Sequence, residues 1–234
     1  GMDTILFIDD QQFELDEVKS VHPSIEIINA AFYSNLLENE RLNPRFITED
    51  SVNRRKMYLE DILRNVEEND YKGTPESFLR GLNMKFIISE AKEEDLKRAE
   101  ELTVRTNQLN ATGVSYSYKE LDEFRTSDNY KLFVCELFDK YGSYGKIGLA
   151  LLEMTERTWH LKLLLMSCRV MSRGVGSIML THIMQEAKRN GKRLLADFKQ
   201  TDRNKMMFVT YRFANFKEIE KDSCGNIVFE NDLV

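Results

Sequence analysis

Apolar residues in the first part of the chain follow a strand–helix–strand pattern. TILFIDD (residues 4–10) is an apolar run that ends in paired carboxylates, which is typical of a buried parallel strand. QQFELDEVKSV (11–21) has helical spacing of its apolar residues, and SIEIINA (24–30) predicts a second short strand. Such a βαβ unit cannot bury both faces of its strands alone, so we expect this fragment, residues 2–45, to pack against something else.

A polar connection and one helix follow this fragment. The sequence TED (48–50) supplies a capping residue and early negative charge to a helix predicted over residues 51–67. The turn-rich sequence NDYKGTPES (69–77) then indicates a boundary. We bound this linking region at residues 46–81.

From residue 82 onward, strands alternate with amphipathic helices. The pattern predicts helices at 93–107, 174–191 and 204–214, and strands at 82–91, 131–139, 146–154, 159–167, 192–198 and in a closing hairpin at 216–232. The order β-α-β-β-β-α-β-α-β-β predicts an α/β domain with a mixed sheet (α+β) over residues 82–234.

Charge is distributed unevenly over the chain. The net charge of −6 disfavours nucleic acid as a partner. The segment 169–205 carries nine basic and three acidic residues, a net +6, so the remainder carries −12. A local basic region suits a phosphate-bearing ligand or an acidic partner protein, although a solvated helix face has the same composition.

Cysteine content and hydropathy bear on the compartment. Three scattered cysteines are too few for a disulfide framework or a zinc site, which fits a reducing compartment. No apolar stretch approaches the roughly 20 residues that span a bilayer, and no signal peptide is recognisable. We therefore expect a soluble, cytoplasmic protein.

The sequence RGVGS (173–177) marks the start of a helix directly after an apolar strand. Glycines at 174 and 176 let backbone N–H groups approach a ligand closely, and a helix N-terminus favours a pyrophosphate. Arg169 and Arg173 add positive charge. The alternative is that these glycines only allow close packing of the strand against the helix.

Cys168 ends the preceding strand, beside Arg169 and shortly before the same helix start. Both neighbours favour a thiolate, which could hold an acyl group as a thioester. The alternative is a buried cysteine that packs as a small apolar side chain. His160 shares the strand face but lies about 26 Å away along the strand, so it is excluded as the base for Cys168.

The stretch RGVGSIMLTHIMQEAKRNGKRLLADF resembles the acyl-carrier-binding motif of the GCN5-related N-acetyltransferases (GNAT). The signature Q/R-x-x-G-x-G/A covers Met171–Gly176, with Met171 in place of the usual Gln or Arg. The resemblance implies an acyl-CoA N-acyltransferase (GNAT-like) fold and a site for acyl-CoA or phosphopantetheine. The implied cofactor-binding residues are Arg169, Met171, Ser172, Arg173, Gly174, Val175, Gly176 and Ser177.

The later stretch NKMMFVTYRFANF (204–216) resembles the closing element of the same superfamily. This resemblance implies catalytic roles for Asn204 and Tyr211, the tyrosine acting as general acid toward the departing thiolate. The alternative for Tyr211 is a half-buried aromatic residue on an amphipathic helix.

A wider resemblance covers almost the whole chain. FIDDQQFELDEVKSVHPSIEI, TEDSVNRRKMY, LTVRTNQLNATG, FDKYGSYGKIG and LMSCRVMSRGVG are similar to successive motifs of FkbH-like proteins. Members of that family supply glyceryl groups on acyl carrier proteins for polyketide pathways, including methoxymalonyl units. The resemblance implies that the polar residues of TNQLNATG hydrogen-bond a hydroxylated acyl group, whereas helix capping and a turn are the structural alternative. These residues are Thr106, Asn107, Gln108, Asn110 and Thr112.

Full-length FkbH-like proteins carry an N-terminal phosphatase domain of the haloacid-dehalogenase (HAD) type. No D-x-D-x-T nucleophile motif occurs in this chain, so residues 2–45 resemble only a truncated HAD-like fragment. Asp9 and Asp10 then stand where the family holds Mg²⁺, and we expect Mg²⁺ only if a partner completes the site. We therefore expect no independent phosphatase activity, and either a separate HAD phosphatase half or a vestigial docking surface. The unpaired βαβ unit also leaves self-association open.

The preferred function at this level is an acyltransferase. It would move a glyceryl-type group to the phosphopantetheine thiol of an acyl carrier protein. One alternative is a stand-alone acetyl-CoA-dependent N- or O-acetyltransferase. The other is a non-catalytic subunit that docks a phosphatase to a carrier protein.

Overall fold

The computed structural model describes residues 2–39 and 42–233, and the chain divides into two compact units, residues 1–47 and 48–234. In the first unit, strands β1 (Leu6–Asp9) and β2 (Glu26–Asn29) pair in parallel, and helix α1 (Gln12–Val21) connects them. Leu15 of α1 is buried in this unit. The predicted βαβ arrangement is therefore present.

The second unit begins with short helices where one linking helix is predicted. Thr48 caps α2 (Glu49–Val52) through a capping box with Ser51, and α3 (Arg54–Asp70) follows after a break at Asn53. The predicted boundary at 69–77 instead contains the end of α3 and the start of α4 (Pro75–Gly81), which begins at a proline preceded by the N-cap Thr74. The compact unit thus starts at residue 48, and the linking region is part of it.

A seven-stranded mixed sheet forms the centre of the second unit. Its strand order is β3-β4-β5-β6-β7-β9-β8, and every neighbouring pair is antiparallel except β6 and β7, which are parallel. The strands are β3 (Lys85–Glu90), β4 (Tyr130–Asp139), β5 (Gly142–Met154), β6 (Thr158–Met166), β7 (Arg193–Lys199), β8 (Phe216–Lys221) and β9 (Asn226–Asn231).

Helices cover both faces of this sheet. On one face, Leu96, Leu102 and Leu121 of α5 (Leu96–Arg105) and α6 (Tyr118–Thr126) pack against the central strands. On the other face lie α7 (Val175–Arg189) and α8 (Lys205–Phe213), with buried residues such as Ile183 and Tyr211. Helix α6 was not predicted from the apolar pattern, although Ser117 and Glu120 form a capping box that marks its start.

The two parallel strands diverge after a short paired stretch. β6 and β7 pair only from Thr158↔Arg193 to Leu161↔Ala196. Beyond that point, the segment Leu109–Thr112, here called the bridging segment, lies between them. The Ala111 N–H donates to the Leu164 carbonyl (3.0 Å), and the Lys199 N–H donates to the Ala111 carbonyl (3.0 Å). The gap in the sheet is therefore closed by the chain's own backbone.

Arg64 of α3 links this helix to the β4–β5 hairpin. Its side chain is 1% exposed and donates to both carboxylate oxygens of Asp139, at 2.7 and 3.0 Å. A third bond reaches Asp61, and the guanidinium lies 3.9 Å from the ring centroid of Tyr144. Burial, with a hydrogen bond to Asp139, raises the pKa of Tyr144 to about 12, so this phenol is neutral. A buried bidentate ion pair thus fixes α3 against the sheet.

No helix among the described residues is long and apolar enough to cross a membrane.

We expect Arg64→Met to destabilise the protein strongly, because it leaves the buried Asp139 carboxylate without its cation. Loss of one partner of a buried pair costs about 3–5 kcal/mol. Urea unfolding followed by circular dichroism measures this. Arg55→Met on the same helix removes an exposed arginine and is the control, with a change within about 0.5 kcal/mol. Equal effects of the two substitutions would contradict the assignment.

Candidate functional site

A pocket of about 480 Å³ lies at the carboxyl end of β6. Its walls come from the 3₁₀ turn Cys168–Arg173 that follows β6, from α5 and the residues after it, and from α2 and α3. The lining residues are Asp50, Arg54, Met57, Tyr58, Asp61, Arg98, Leu102, Arg105, Thr106, Asn107, Gln108, Leu109, Ser167, Cys168, Arg169 and Arg203. We call this the arginine pocket, because five arginines line it and only two carboxylates do.

Glu101 lies behind the pocket wall and holds three of these arginines. Its carboxylate is fully buried, receives a hydrogen bond from Arg98 (2.8 Å) and forms ion pairs with Arg54 and Arg105, each at 3.2 Å. Burial opposes ionisation of Glu101, but hydrogen bonds from Arg98 and Thr48 hold its pKa below the usual value. The glutamate is therefore charged and anchors the cationic wall.

Asp50 lies between two arginines of the pocket, Arg98 and Arg169. Its carboxylate lies 3.0 Å from Arg98 and 3.4 Å from Arg169. Gly145 adopts a φ of +73°, and a side chain there would collide with the Asp50 carboxylate, so glycine is needed at this contact. Burial and the nearby Arg98 lower the pKa of the Arg169 guanidinium from its very high usual value. Arg169 stays charged, because an arginine pKa lies far above neutrality.

The pocket keeps a surplus of positive charge after these pairings. Five arginines face Asp50, Asp61 and the underlying Glu101. Within the described part of the chain, the Arg203 side chain has no hydrogen-bond or ion-pair partner, and Arg54 is 57% exposed. A pocket of this composition attracts a carboxylate or a phosphate.

Cys168 is exposed at this pocket rather than buried. It lies at the start of the 3₁₀ turn, directly after the end of β6. Cys135 is buried, and burial raises the pKa of its thiol well above the usual value. Cys224 is exposed in the turn between β8 and β9, outside the lining residues. Of the three thiols, Cys168 is therefore the one accessible to a ligand in the arginine pocket.

The structure separates the predicted polar cluster into two parts. Thr106, Asn107 and Gln108 line the arginine pocket. Asn110 is fully buried: its Oδ1 accepts from the backbone N–H groups of Thr112 and Gly113, and its Nδ2 donates to the Val114 carbonyl. Because these contacts use the polar atoms of Asn110 within the turn, substrate binding by Asn110 is corrected to a structural role. Thr112 is also buried and does not line the pocket.

The glycine-rich helix start has the predicted backbone shape but not the predicted charge. Gly174 adopts a φ of +71° and has open space around it, and α7 starts at Val175. Arg173 is buried, pairs with Glu68 at 3.0 Å and lies over the Phe78 ring. Arg169 points into the arginine pocket instead. Among the other predicted contacts, Met171, Ser172 and Ser177 are exposed, and Gly176 is half-buried.

Tyr211 and Asn204 lie inside the protein, which corrects their predicted catalytic roles. Tyr211 is fully buried, burial raises the pKa of its phenol, and its ring packs against Phe216 and Phe229. A phenol in this position cannot protonate a leaving thiolate. Asn204 is also fully buried and donates to backbone carbonyls. We therefore assign structural roles to both residues: Tyr211 packs in the aromatic core, and Asn204 hydrogen-bonds backbone carbonyls at the gap in the sheet.

Asp9 and Asp10 lie at the end of β1, opposite Asn29 of β2. One Asp9 carboxylate oxygen accepts the Gln11 N–H at the start of α1. Among the described residues, no group of three or more His, Cys, Asp or Glu side chains is placed to hold a metal ion. The residues present do not form a Mg²⁺ site by themselves.

Several pocket residues were not identified from the sequence. Arg54, Arg98, Arg105 and Arg203 are distributed over 150 positions, and only the sheet topology brings them together. The signal available in the sequence was weak: Glu101 lies three residues after Arg98 and four residues before Arg105, which are spacings of paired charges on one helix. That spacing is also common on solvated helices.

Solved structures share the fold of this chain. A protein from Desulfovibrio desulfuricans, described as an acetyltransferase of the GNAT family, matches with a TM-score of 0.51 and 14% identity over 64% of this chain and 99% of its own. The Salmonella typhimurium acetyltransferase yncA, solved with its cofactor acetyl-CoA, has a TM-score of 0.49 and 14% identity, covering 64% of this chain and 94% of its own. The Escherichia coli ribosomal-protein-S18-alanine N-acetyltransferase has a TM-score of 0.46 and 17% identity, covering 62% and 92%.

The likeness to the Desulfovibrio desulfuricans protein confirms the predicted fold class: the mixed sheet and its helices form an acyl-CoA N-acyltransferase (GNAT) fold. No protein-family model matches the chain, and no curated protein matches its sequence. The FkbH-like resemblance and the HAD-like origin of the first unit stay predictions.

The charge of the arginine pocket predicts the alkylation pattern of the cysteines. We expect iodoacetate to react faster relative to iodoacetamide at Cys168 than at Cys224, by roughly three- to tenfold at low ionic strength, because the arginines attract the anionic reagent. Peptide mass spectrometry measures both sites in one sample. Arg203→Gln lowers the ratio at Cys168, whereas Lys205→Gln, which removes the same charge outside the pocket, leaves it unchanged. Equal ratios at the two cysteines would contradict the prediction.

The depressed pKa of Glu101 predicts a pH-dependent contribution to stability. A carboxylate whose pKa is lower in the folded than in the unfolded state stabilises the fold above its unfolded pKa. We therefore expect the wild type to exceed Glu101→Gln in stability at neutral pH, with a difference that shrinks as the pH falls through the folded pKa. Unfolding midpoints from neutral pH to about pH 3 measure this. A difference that is independent of pH would mean that charge on Glu101 does not hold the wall.

Proposed function

We propose that this chain is an acyltransferase whose acyl group passes through the arginine pocket. In the finer form of the proposal, the acyl group is glyceryl and the acceptor is the phosphopantetheine thiol of an acyl carrier protein. The observation that carries the proposal is the meeting of Cys168 and Thr106–Gln108 in one pocket, although about 60 residues separate them in the sequence.

The lining of the pocket supports a small, hydroxylated and anionic acyl donor. Thr106, Asn107, Gln108 and Ser167 supply neutral donors and acceptors that suit hydroxyl groups. The arginines supply charge for a phosphate or a carboxylate. A simple acetyl group uses neither property.

In the proposed reaction the donor is an acyl phosphate. The Cys168 thiol loses its proton to solvent and its sulfur attacks the acyl carbonyl, so that a C–S bond forms and the C–O bond to phosphate breaks. Phosphate leaves with the electron pair, and the arginines stabilise its charge. The pantetheine thiolate then attacks the thioester, which transfers the acyl group and restores the Cys168 sulfur. Thr106–Gln108 orient the acyl group in both steps.

Exposed cationic residues around the pocket support an acidic acceptor protein. Arg54, Arg105 and Arg203 are exposed arginines of the lining, and an acidic carrier protein is complementary to them. The Asp9–Asp10 pair supplies too few ligands for phosphatase chemistry, so this proposal assigns removal of any further phosphate ester on the donor to a separate HAD partner.

A stand-alone acetyl-CoA-dependent acetyltransferase is the second candidate. The open backbone at Gly174 and the N-terminus of α7 favour it, because together they suit a pyrophosphate, and the GNAT fold is compatible with it. Against it stand the pairing of the Arg173 Nη2 with Glu68 and the position of Arg169 in the arginine pocket, although the Arg173 Nε and Nη1 are buried without a hydrogen-bond partner in the described part of the chain. Met171 in place of the usual Gln or Arg points the same way.

Intact-mass spectrometry tests the proposal. The chain is mixed with a glyceric acid acyl phosphate, with and without phosphopantetheinylated carrier protein. We expect a glyceryl adduct on the wild type and on Cys224→Ser, loss of the adduct in Cys168→Ser, and transfer to the carrier when it is added. An adduct on the carrier without one on the chain would mean that the acyl group passes directly from the donor to the carrier, without a Cys168 thioester.

A thermal-shift comparison separates the two candidates. Stabilisation by phosphopantetheinylated carrier protein but not by acetyl-CoA supports the first. The reverse result supports the acetyltransferase. Stabilisation by the carrier without any acyl transfer would leave a non-catalytic docking subunit.

A further inference from the structure

The gap between β6 and β7 places a strict demand on the backbone. Where two parallel strands diverge, their facing N–H and C=O groups lose each other as partners, and buried backbone groups need hydrogen bonds. The bridging segment supplies them on both sides. It pairs with β6 through Ala111 to Leu164 and through Met166 to Leu109 (2.9 Å), and with β7 through Lys199 to Ala111.

Asn204 closes this arrangement from the start of α8. Its Nδ2 donates to the carbonyls of Asn110 (3.0 Å), Ala111 (3.3 Å) and Lys199 (2.8 Å). Its Oδ1 accepts from the Thr201 N–H at 2.9 Å. One fully buried amide therefore connects the bridging segment, the end of β7 and the loop before α8.

Both chain segments held by this amide continue into the arginine pocket. Thr106, Asn107 and Gln108 directly precede the bridging segment, and Leu109 belongs to both. Arg203, the arginine without a partner, is the residue next to Asn204 in the sequence. The position of one amide thus determines where two walls of the pocket stand relative to Cys168.

We propose that Asn204 is a positioning residue for the arginine pocket, acting through the bridging segment and Arg203. The bridging segment fills the gap between β6 and β7, so a ligand reaches Cys168 through the pocket mouth and not through that gap. The inference rests on the proposed function only in taking the arginine pocket as the binding site.

The test compares Asn204→Asp with Asn204→Ala. Asp keeps the size and the acceptor for Thr201, but at neutral pH it places a carboxylate against three carbonyl oxygens. Protonated Asp can donate one hydrogen bond. Acidification should therefore restore part of the hydrogen bonding to the backbone carbonyls in Asn204→Asp and none of it in Asn204→Ala. Asn190→Asp, which removes one exposed side-chain bond to the Glu186 carbonyl at the end of α7, is the matched control.

Two readouts follow each variant. Hydrogen exchange at the amides of Ala111, Met166 and Lys199 reports the bridging bonds, and we expect at least about a tenfold loss of protection in both Asn204 variants at neutral pH. The ratio of iodoacetate to iodoacetamide reactivity at Cys168 reports the pocket, with Cys224 as the internal reference. We expect the Cys168 ratio to fall toward that of Cys224, and to recover in part on acidification in Asn204→Asp alone.

Unchanged protection at these three amides would show that Asn204 does not hold the bridging segment. Lost protection with an unchanged Cys168 ratio would show that Asn204 does not position the arginine pocket. If both variants fail to fold, Asn204→Ser, whose hydroxyl keeps one donor, gives the same comparison at a milder level. Failure of the proposed function looks different. The wild type would then form no glyceryl adduct and transfer no acyl group to the carrier, while the Asn204 variants still change exchange and alkylation.

Discussion

Backbone hydrogen bonding at the divergence of β6 and β7 is the constraint on which the functional region depends. A sheet that opens must pair its exposed N–H and C=O groups with something, and in this chain the residues after α5 do so. Since that segment must enter the gap, the preceding residues Thr106–Gln108 are drawn to the end of β6, beside Cys168. The pocket wall is thus a consequence of a backbone requirement, not an independent loop.

Buried carboxylates make the cationic pocket compatible with a stable fold. Arg98 and Arg169 lie close together and would repel each other, but Asp50 lies between them and Glu101 neutralises the wall behind. Burying a charge is unfavourable unless it is paired, and in this arrangement positive charge reaches the pocket surface at Arg203 and at the exposed parts of Arg54 and Arg105. The surplus charge lies where a ligand can reach it, and the paired charges hold the walls.

The sequence was sufficient to predict what depends on local periodicity. It predicted the strands of the sheet, helices α5, α7 and α8, and the βαβ unit, because their apolar spacing follows the period of each element. It also singled out Cys168 and Thr106–Gln108. It did not predict the bridging segment or the gathering of Arg54, Arg98 and Arg203, since both depend on strand order. The catalytic role of Tyr211 was implied by the resemblance to the GNAT closing element, and the burial of its ring, which depends on tertiary packing, favours the structural alternative.

The contacts of Asn204 with the bridging segment also bear on the order in which parts of the fold can form. Asn110 and Asn204 are 94 residues apart, and the contact between them closes a long loop that contains most of the sheet. Strands β4, β5 and β6 can pair through nearby hairpins before that contact exists. The wall that carries Arg203 therefore depends on residues that follow Cys168 in the chain, whereas the bonds between the bridging segment and β6 do not need Asn204. The thiol becomes part of a complete pocket only when the chain after β7 has docked on the bridging segment.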